Sequence, residues 1–227
     1  MTRIALIDDH HLFSSLLALA LRAQGLEVEV PTVTTVPELR DRLGATRPDV
    51  VLLDRDLGAA GNGEELIAPA TADGMAVVVV AAMLDDDAMG RCLATGAVAC
   101  VPKTAPFADV LATVLAVARG DCPCLPAERR RLVEVWRRSE SNATVLASRF
   151  THLTHCEAEV LAELIAGHRV KEIAARQLVA SATVRTHVRS IFEKLGVTSQ
   201  LEAVALAAEA GWHPATARAA RALSPGA

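Results

Sequence analysis

The first 118 residues alternate short apolar runs with amphipathic stretches. Runs that are apolar throughout, such as Val77–Val80, are typical of strands that are covered on both faces of a parallel sheet. The stretches between them have the spacing of helices that would cover those faces. We therefore expect an α/β domain with a five-stranded, doubly wound parallel sheet. Its predicted strands are Ile4–Ile7, Val28–Val33, Val50–Leu53, Ala76–Val80 and Ala99–Val101.

After residue 150 apolar residues recur at helical spacing, which predicts four short helices. Thr154 and Glu157 form a capping box at the start of the first helix, and Gly167 ends it. The second helix covers about Lys171–Leu178, with Leu178 in the core, and the fourth covers Ser199–Ala210. This pattern indicates an all-α, four-helix domain of the helix-turn-helix type.

The third of these helices starts near Ser181 and has two different faces. One face carries a core stripe, and the other carries Arg185, Thr186 and Arg189 near the N-terminal half of the helix. The core stripe consists of Val184, Val188, Ile191 and Leu195. A basic face opposite an anchoring stripe is the arrangement that recognition helices use to enter a DNA groove. The segment therefore predicts DNA binding.

A linker separates the two predicted domains. Pro123 and Pro126 break the preceding helix, Ala127–Arg138 is amphipathic, and Ser139–Asn142 is expected to be a flexible joint. The residues after Trp212 contain no recognisable functional motif and are expected to be mobile. The predicted domains are 1–118 (sheet domain), 119–150 (linker with an amphipathic helix), 151–213 (helix-turn-helix domain) and 214–227 (mobile tail).

Charge divides the chain in the same way. Residues 1–118 contain 8 Lys/Arg and 16 Asp/Glu, whereas residues 119–227 contain 15 and 11. A local excess of cations in the second half fits phosphate binding, although the whole chain has a net charge of −4.

The chain shows no secretory signal pattern, Leu12–Leu21 is too short to span a bilayer, and its five cysteines lack framework spacing. We expect a cytoplasmic protein without membrane contact.

Charged residues follow three of the predicted strands. Asp8 and Asp9 follow the first strand, Asp54 follows the third, and Lys103 follows the fifth. Because ligands of such sheets bind at the carboxyl ends of the strands, these side chains should share one crevice. Three carboxylates repel one another unless a cation intervenes, and oxygen ligands favour Mg²⁺. The sequence therefore predicts an acidic magnesium pocket in which Lys103 can neutralise a phosphoryl group.

Four short sequence blocks follow one another in the C-terminal segment: L-T-x-x-E at Leu153–Glu157, K-E-I-A at Lys171–Ala174, T-V-R-T-H-V at Thr183–Val188 and K-L-G-V at Lys194–Val197. In their order and spacing these blocks resemble the DNA-binding domain of LuxR/FixJ/NarL-type regulators. The resemblance implies that Arg185, Thr186 and Arg189 face base edges, whereas Lys171, Ser181, Thr183 and Lys194 hold phosphates. It also implies a dimer on a two-fold DNA site, paired through Leu201, Val204, Ala205 and Ala208 of the fourth helix.

The N-terminal half resembles the receiver domain of two-component response regulators. Carried over by position, Asp54 would accept the phosphoryl group, Asp8 and Asp9 would hold Mg²⁺ with the backbone carbonyl of Asp56, and Lys103 would contact the phosphoryl oxygens. The switch positions depart from the family pattern. Ala81 stands where receivers have Ser or Thr, and Cys100 stands where they have an aromatic residue.

Together the resemblances imply a transcriptional regulator of the NarL/FixJ response-regulator type, which is not an enzyme. Its expected partners are double-stranded DNA, a second copy or a related regulator, and a histidine kinase. A second dimer surface is expected on the helices that flank the fifth strand.

Three alternatives stay open. Because of the switch departures, the first half could be a pseudo-receiver that a ligand or a protein partner controls without phosphorylation. The chain could also be a pure interaction module, although its basic contact positions are intact. The D-x-D string of Asp54 and Asp56 also matches haloacid-dehalogenase-type phosphatases, but Lys103 follows Asp85–Asp87 instead of preceding them.

Overall fold

Five parallel strands form one sheet in the order β2-β1-β3-β4-β5. The computed structural model describes residues 2–212, so the predicted mobile tail and residue 213 lie outside the described residues. The strands are β1 (Arg3–Ile7), β2 (Glu27–Glu29), β3 (Val50–Leu53), β4 (Ala76–Ala81) and β5 (Ala99–Pro102). The predicted doubly wound α/β fold of this half is confirmed.

Helices cover both faces of the sheet. They are α1 (His11–Ala23), α2 (Val36–Thr46), α3 (Ile67–Ala72), α4 (Asp86–Thr95) and α5 (Phe107–Ala118). Helices α1 and α5 pack on one face around Leu6, Leu52 and Val78, and α2, α3 and α4 pack on the other around Ile7 and Leu53. Successive strand residues point to opposite faces, and because both faces are buried the strands are apolar throughout.

Two details, one in the sheet domain and one in the predicted linker, differ from the sequence prediction. The second strand ends at Glu29, not at Val33, because only Arg3, Ile4 and Ala5 of β1 pair with it. The predicted joint at Ser139–Asn142 is wrong, since these residues lie inside the helix α6, which runs from Pro126 to Phe150. Residues 127–150 contain no glycine or proline, and flanking arginines and glutamates favour the helix.

The chain divides into two units, residues 1–138 and residues 139–227, so the division falls inside the predicted linker. The second unit contains the end of α6 and the helices α7 (His155–Ile165), α8 (Val170–Arg176), α9 (Ser181–Leu195) and α10 (Gln200–Glu209). The predicted capping box of Thr154 and Glu157 is present at α7. The predicted burial of Leu178 is wrong: α8 ends at Arg176, and Leu178 is 93% exposed with a φ of 55°.

The core of the second unit lies between α7, α8, α9 and α10. Val160, Ile173 and Ala203 contribute to it from three of these helices, and Phe150 stacks on Trp212 with ring centroids 5.4 Å apart. Three of the four predicted stripe residues of α9, Val184, Ile191 and Leu195, are fully buried, and Val188 packs against them. None of the helices among residues 2–212 combines the length and the apolar character that crossing a membrane requires.

Candidate functional sites

An acidic pocket lies at the carboxyl ends of β1, β3 and β5. Asp8 and Asp54 are almost completely buried there. The ammonium of Lys103 lies between them, 2.8 Å from Asp8 and 2.6 Å from Asp54. The parallel pairing of β1 with β3 places the two carboxylates side by side, because Ile7 is opposite Leu53 and each aspartate is the next residue. The fold thus brings together residues up to 95 positions apart.

The charges in this pocket do not balance. Asp8, Asp9, Asp54 and Lys103 have a formal charge of −2 when all four are ionised. Burial raises the pKa of Asp54, and the hydrogen bond and charge of Lys103 oppose this effect. The ring of Phe13 lies 5.2 Å from the Lys103 ammonium and lines the apolar side of the pocket. A divalent cation would neutralise the remaining charge.

The side chains that could hold such a cation include one that sequence reasoning missed. Ligand atoms of Asp8, Asp9, His10 and Asp54 all lie within 4.8 Å of one another. His10 Nδ1 is 2.7 Å from the Asp9 carboxylate and 3.2 Å from Lys103 Nζ. Its position directly after two aspartates could have drawn attention to it. The three carboxylates are oxygen donors of the kind Mg²⁺ prefers, so the residues fit the predicted ion.

The loop after Asp54 is held close to the pocket. Asp56 donates its backbone N–H to the Asp54 carboxylate at 3.3 Å and forms a β-bridge with Asn62. Gly63 packs so tightly that a Cβ there would lie 2.1 Å from the Asp54 carbonyl oxygen. At Gly58, whose φ is 59°, an added Cβ would lie 2.9 Å from a carboxylate oxygen of Asp9. The two glycines therefore let the loop approach the aspartates closely.

Ala81 and Cys100, the two residues that depart from the receiver pattern, lie in the neighbouring strands β4 and β5. Ala81 is the buried last residue of β4, and its carbonyl accepts the backbone N–H of Lys103 at 2.8 Å. Cys100 lies in β5 opposite Val79. A hydrogen bond with Cys92, together with burial, raises the pKa of the Cys100 thiol. Ala81 therefore offers no hydroxyl group beside the pocket, and Cys100 offers no aromatic ring.

The outer side of α9 forms the candidate DNA-binding surface. Arg185, Thr186 and Arg189 are exposed on this helix, opposite its buried stripe. Arg189 pairs with Glu193 at 3.0 Å, and Thr186 donates its hydroxyl to the Ala182 carbonyl at 3.1 Å. Exposed Thr183 and half-buried Ser181 lie in the first turn of α9, and exposed Lys171 lies in the first turn of α8. All seven predicted DNA contacts lie in α8 or α9, and among residues 2–212 only two of them, Arg189 and Lys194, form an ion pair with a carboxylate.

Lys194, the seventh predicted contact, has a partner inside the domain. Its ammonium lies 2.6 Å from the carboxylate of Glu157, which is 4% exposed. Burial opposes ionisation of Glu157, but hydrogen bonds from Lys194, Ser190 and Thr154 outweigh it and lower its pKa to about 2. Sequence reasoning found the cap made by Glu157 but missed its ion pair, which joins α7 to α9. The phosphate contact of Lys194 stays a prediction.

Helix α10 presents two faces. Ala203 and Ala207 are buried in the core of the unit. The predicted pairing residues lie on the remaining surface: Leu201, Ala205 and Ala208 are exposed, and Val204 is half-buried. Leu201 is 79% exposed. This small, apolar face is therefore available to a partner.

Comparisons with known proteins agree with both halves. Residues 4–115 match the family model of the response regulator receiver domain, and residues 151–207 match that of bacterial regulatory proteins of the luxR family. Transcriptional regulatory protein LiaR of Bacillus subtilis is 27% identical over 215 residues, which cover 91% of this chain and 97% of LiaR. The probable transcriptional regulatory protein NarL of Mycobacterium tuberculosis is 30% identical over 205 residues, which cover 89% of this chain and 92% of the relative.

Among solved structures, the RcsB response regulator of Salmonella typhimurium matches with a TM-score of 0.52 at 19% identity. The match covers 92% of this chain and 100% of the RcsB chain, and at this identity it shows the fold alone. The matched relatives are transcriptional regulators and not enzymes, which confirms the non-enzymatic prediction and leaves the phosphatase alternative without support.

Proposed function

Because the chain belongs to the response regulators that join a receiver domain to a LuxR-type DNA-binding domain, we propose that it regulates transcription by binding a two-fold DNA site as a dimer. The exposed basic face of α9, anchored by the buried Val184, Ile191 and Leu195, is the observation that carries this proposal. This role would place the protein in the cytoplasm, together with the DNA.

The side chains of this surface divide into two groups. Arg185, Thr186 and Arg189 project from the outer side of α9 and would meet base edges in the major groove. Lys171, Ser181 and Thr183 lie in the first turns of α8 and α9 and would hold phosphates of the DNA backbone. Lys194 would join the phosphate contacts only if its ammonium reached past Glu157.

Selection from a random duplex library, followed by fluorescence anisotropy, tests this division. We expect Arg185→Ala or Arg189→Ala to cost about 1–3 kcal/mol on the selected site and to relax its sequence preference. We expect Lys171→Ala to weaken selected and random duplexes alike. Arg176→Ala is the matched control, because the Arg176 guanidinium is paired with Glu163 of α7. Equal losses on selected and random DNA for the α9 arginines would contradict the proposal.

The exposed face of α10 would pair two DNA-binding domains. An isologous contact through Leu201, Val204, Ala205 and Ala208 makes the DNA site two-fold as well. Leu201→Glu should therefore weaken binding to a complete two-fold site while leaving binding to a half-site unchanged. An equal loss on both sites would show that α10 does not pair the domains. The partner copy is either identical or a related regulator.

The acidic pocket would serve as a phosphorylation site. Asp54 would accept the phosphoryl group, Asp8, Asp9 and the Asp56 carbonyl would hold Mg²⁺, and Lys103 would contact the phosphoryl oxygens. The bound cation would reduce repulsion between the incoming phosphate and the carboxylates. Response regulators are phosphorylated by kinases, and a histidine kinase is the donor we propose.

Intact-mass analysis after incubation with Mg²⁺ and acetyl phosphate tests this site. One phosphoryl adduct that is absent from Asp54→Asn would support it. A wild-type protein that stays unmodified would instead support the pseudo-receiver alternative, in which a ligand or a protein partner controls the regulator. Ala81 and Cys100 favour this second candidate, because a methyl group and a thiol cannot make the contacts that a hydroxyl and an aromatic ring would make to a phosphorylated state.

A further inference from the structure

Four of the five cysteines of the chain lie in the first unit, near α4 and β5. Cys92 belongs to α4 and Cys100 belongs to β5, whereas Cys122 and Cys124 follow α5. The thiol of Cys122 donates to the carbonyl of Val98, two residues before Cys100, over 3.9 Å. The fold thus brings together thiols from three separate segments of the chain.

Cys92 and Cys100 form a hydrogen-bonded pair of thiols. Cys100 lies against α4, with its Sγ 3.9 Å from the carbonyl oxygen of Met89. Met89 precedes Cys92 by three residues, so the two residues lie on the same side of α4, which faces β5. Cys92 is fully buried, whereas Cys100 is half-buried and gives a small molecule access to the pair. The two thiols therefore connect α4 directly to β5.

The two thiols of this pair differ in acidity. The hydrogen bond from Cys100 lowers the pKa of Cys92, with support from the charges of Arg91 and Arg55 and against the effect of burial. The same hydrogen bond, together with burial, raises the pKa of Cys100. A thiolate is the reactive form of cysteine, so the more acidic thiol of a pair is the nucleophile. Cys92 is therefore the attacking thiol, and Cys100 is its neighbouring donor.

The arrangement of the sulfur atoms favours redox chemistry over metal binding. A tetrahedral thiolate site places all of its sulfur atoms about 3.8 Å apart around one ion. Among residues 2–212, the one group of three or more candidate metal ligands within 4.8 Å of one another lies in the acidic pocket and includes no cysteine. The cysteines of the first unit therefore do not converge on one point, and the contact that they offer is the pair of Cys92 and Cys100.

We propose that Cys92 and Cys100 are a redox-active pair, which hydrogen peroxide oxidises to a disulfide between α4 and β5. The sulfur of Cys92 attacks one oxygen of the peroxide and breaks the O–O bond, which yields a sulfenic acid on Cys92 and one water. The thiol of Cys100 then attacks the sulfenic sulfur, and its proton leaves with the hydroxyl group as a second water. Two electrons pass from the thiols to the peroxide, and a dithiol reductant reverses the step by exchange.

The disulfide would also act on α6, because the first half of this helix packs on α4. Gly90 precedes Cys92 by two residues, and a Cβ added there would lie 2.1 Å from the carbonyl oxygen of buried Leu132 and 2.9 Å from the Cβ of Trp136. Two bonded sulfur atoms lie closer together than two hydrogen-bonded thiols, so oxidation draws α4 towards β5. This movement changes the contact with α6. It requires neither a phosphoryl group nor the proposed DNA binding.

Counting of free thiols in the whole chain tests the pair. After denaturation and alkylation, the reduced chain should carry five alkyl groups, whereas the chain treated with hydrogen peroxide should carry three. A peptide map of the oxidised wild-type chain should show Cys92 joined to Cys100, and dithiothreitol should restore all five thiols. Five free thiols after peroxide, oxidised sulfur without a disulfide, or a bond between Cys122 and Cys124 instead would overturn the proposal.

Substitutions and fluorescence complete the test. Cys100→Ala should abolish the disulfide, whereas Cys156→Ala, at an exposed cysteine of the second unit, is the matched control and should retain it. The peptide map of the wild-type chain does not depend on how these variants fold. In a Trp212→Phe background, the fluorescence of Trp136 should change on oxidation, return with dithiothreitol and stay constant in Cys100→Ala. Unchanged fluorescence in the disulfide-bonded chain would overturn the proposed effect on α6.

Discussion

Replacement of Glu157 by glutamine should destabilise the C-terminal unit by about 3 kcal/mol at neutral pH. The Glu157 carboxylate accepts hydrogen bonds from Lys194, Ser190 and the Thr154 backbone N–H, each at 2.6 Å. These contacts lower its pKa from 4.5 to about 2. At about 1.4 kcal/mol per pKa unit, this difference corresponds to roughly 3 kcal/mol in favour of the folded, ionised form. The side chain is 4% exposed, so solvent screening removes little of it.

The sign of the effect gives the prediction a pH dependence. Because the folded pKa lies below the unfolded one, the stabilisation is complete above about pH 4.5 and is lost as the pH falls towards 2. Glutamine does not titrate. The free-energy difference between wild type and Glu157→Gln should therefore be about 3 kcal/mol at pH 6 and about half of that near pH 3.

Urea unfolding of the whole chain, followed by Trp212 fluorescence, measures this difference. Trp212 is buried in the C-terminal core, and a Trp136→Phe background removes the other tryptophan. Glu159→Gln is the matched control on the same helix: its carboxylate is 53% exposed beside His155, and its replacement should change stability by less than about 0.5 kcal/mol. A difference for Glu157→Gln below about 1 kcal/mol at pH 6, or one that does not change with pH, would refute the reasoning.

Two further substitutions test contacts within the receiver unit. Gly90→Ala should displace the first half of α6 and change Trp136 fluorescence, because its Cβ would overlap the Leu132 carbonyl; Gly44→Ala, in open space on α2, should leave that fluorescence unchanged. Equal spectra for the two variants would contradict the packing of α6 on α4. Lys103→Met should destabilise the receiver by about 3 kcal/mol, because it leaves Asp8 and Asp54 without their ammonium, and Mg²⁺ should raise its melting temperature more than that of wild type. A melting temperature that Mg²⁺ leaves unchanged in both proteins would argue against a cation site at these carboxylates.

Local patterns in the sequence were sufficient for most of the architecture. Apolar runs such as Val77–Val80 identify buried strands, and the Thr154 and Glu157 cap marks the start of α7, because both depend on residues close together in the chain. Prediction failed where turn geometry or weak pairing decides the structure. Leu178 is apolar but follows the end of α8 in a left-handed conformation, and Val30 lies beyond the last residue that β1 pairs.

The sequence by itself determined the two-domain organisation, the parallel sheet, the recognition-type helix and the aspartates at the strand ends. Each of these follows from the spacing of apolar residues, from the distribution of charge or from a motif. Only the tertiary structure decided that Lys103 lies between Asp8 and Asp54, that Lys194 is paired with Glu157, that the first half of α6 packs on α4 and that the leucines of α1 stay exposed. The physical reason is that such contacts join residues distant in sequence. Their geometry follows from how whole helices and strands pack, which no local pattern specifies.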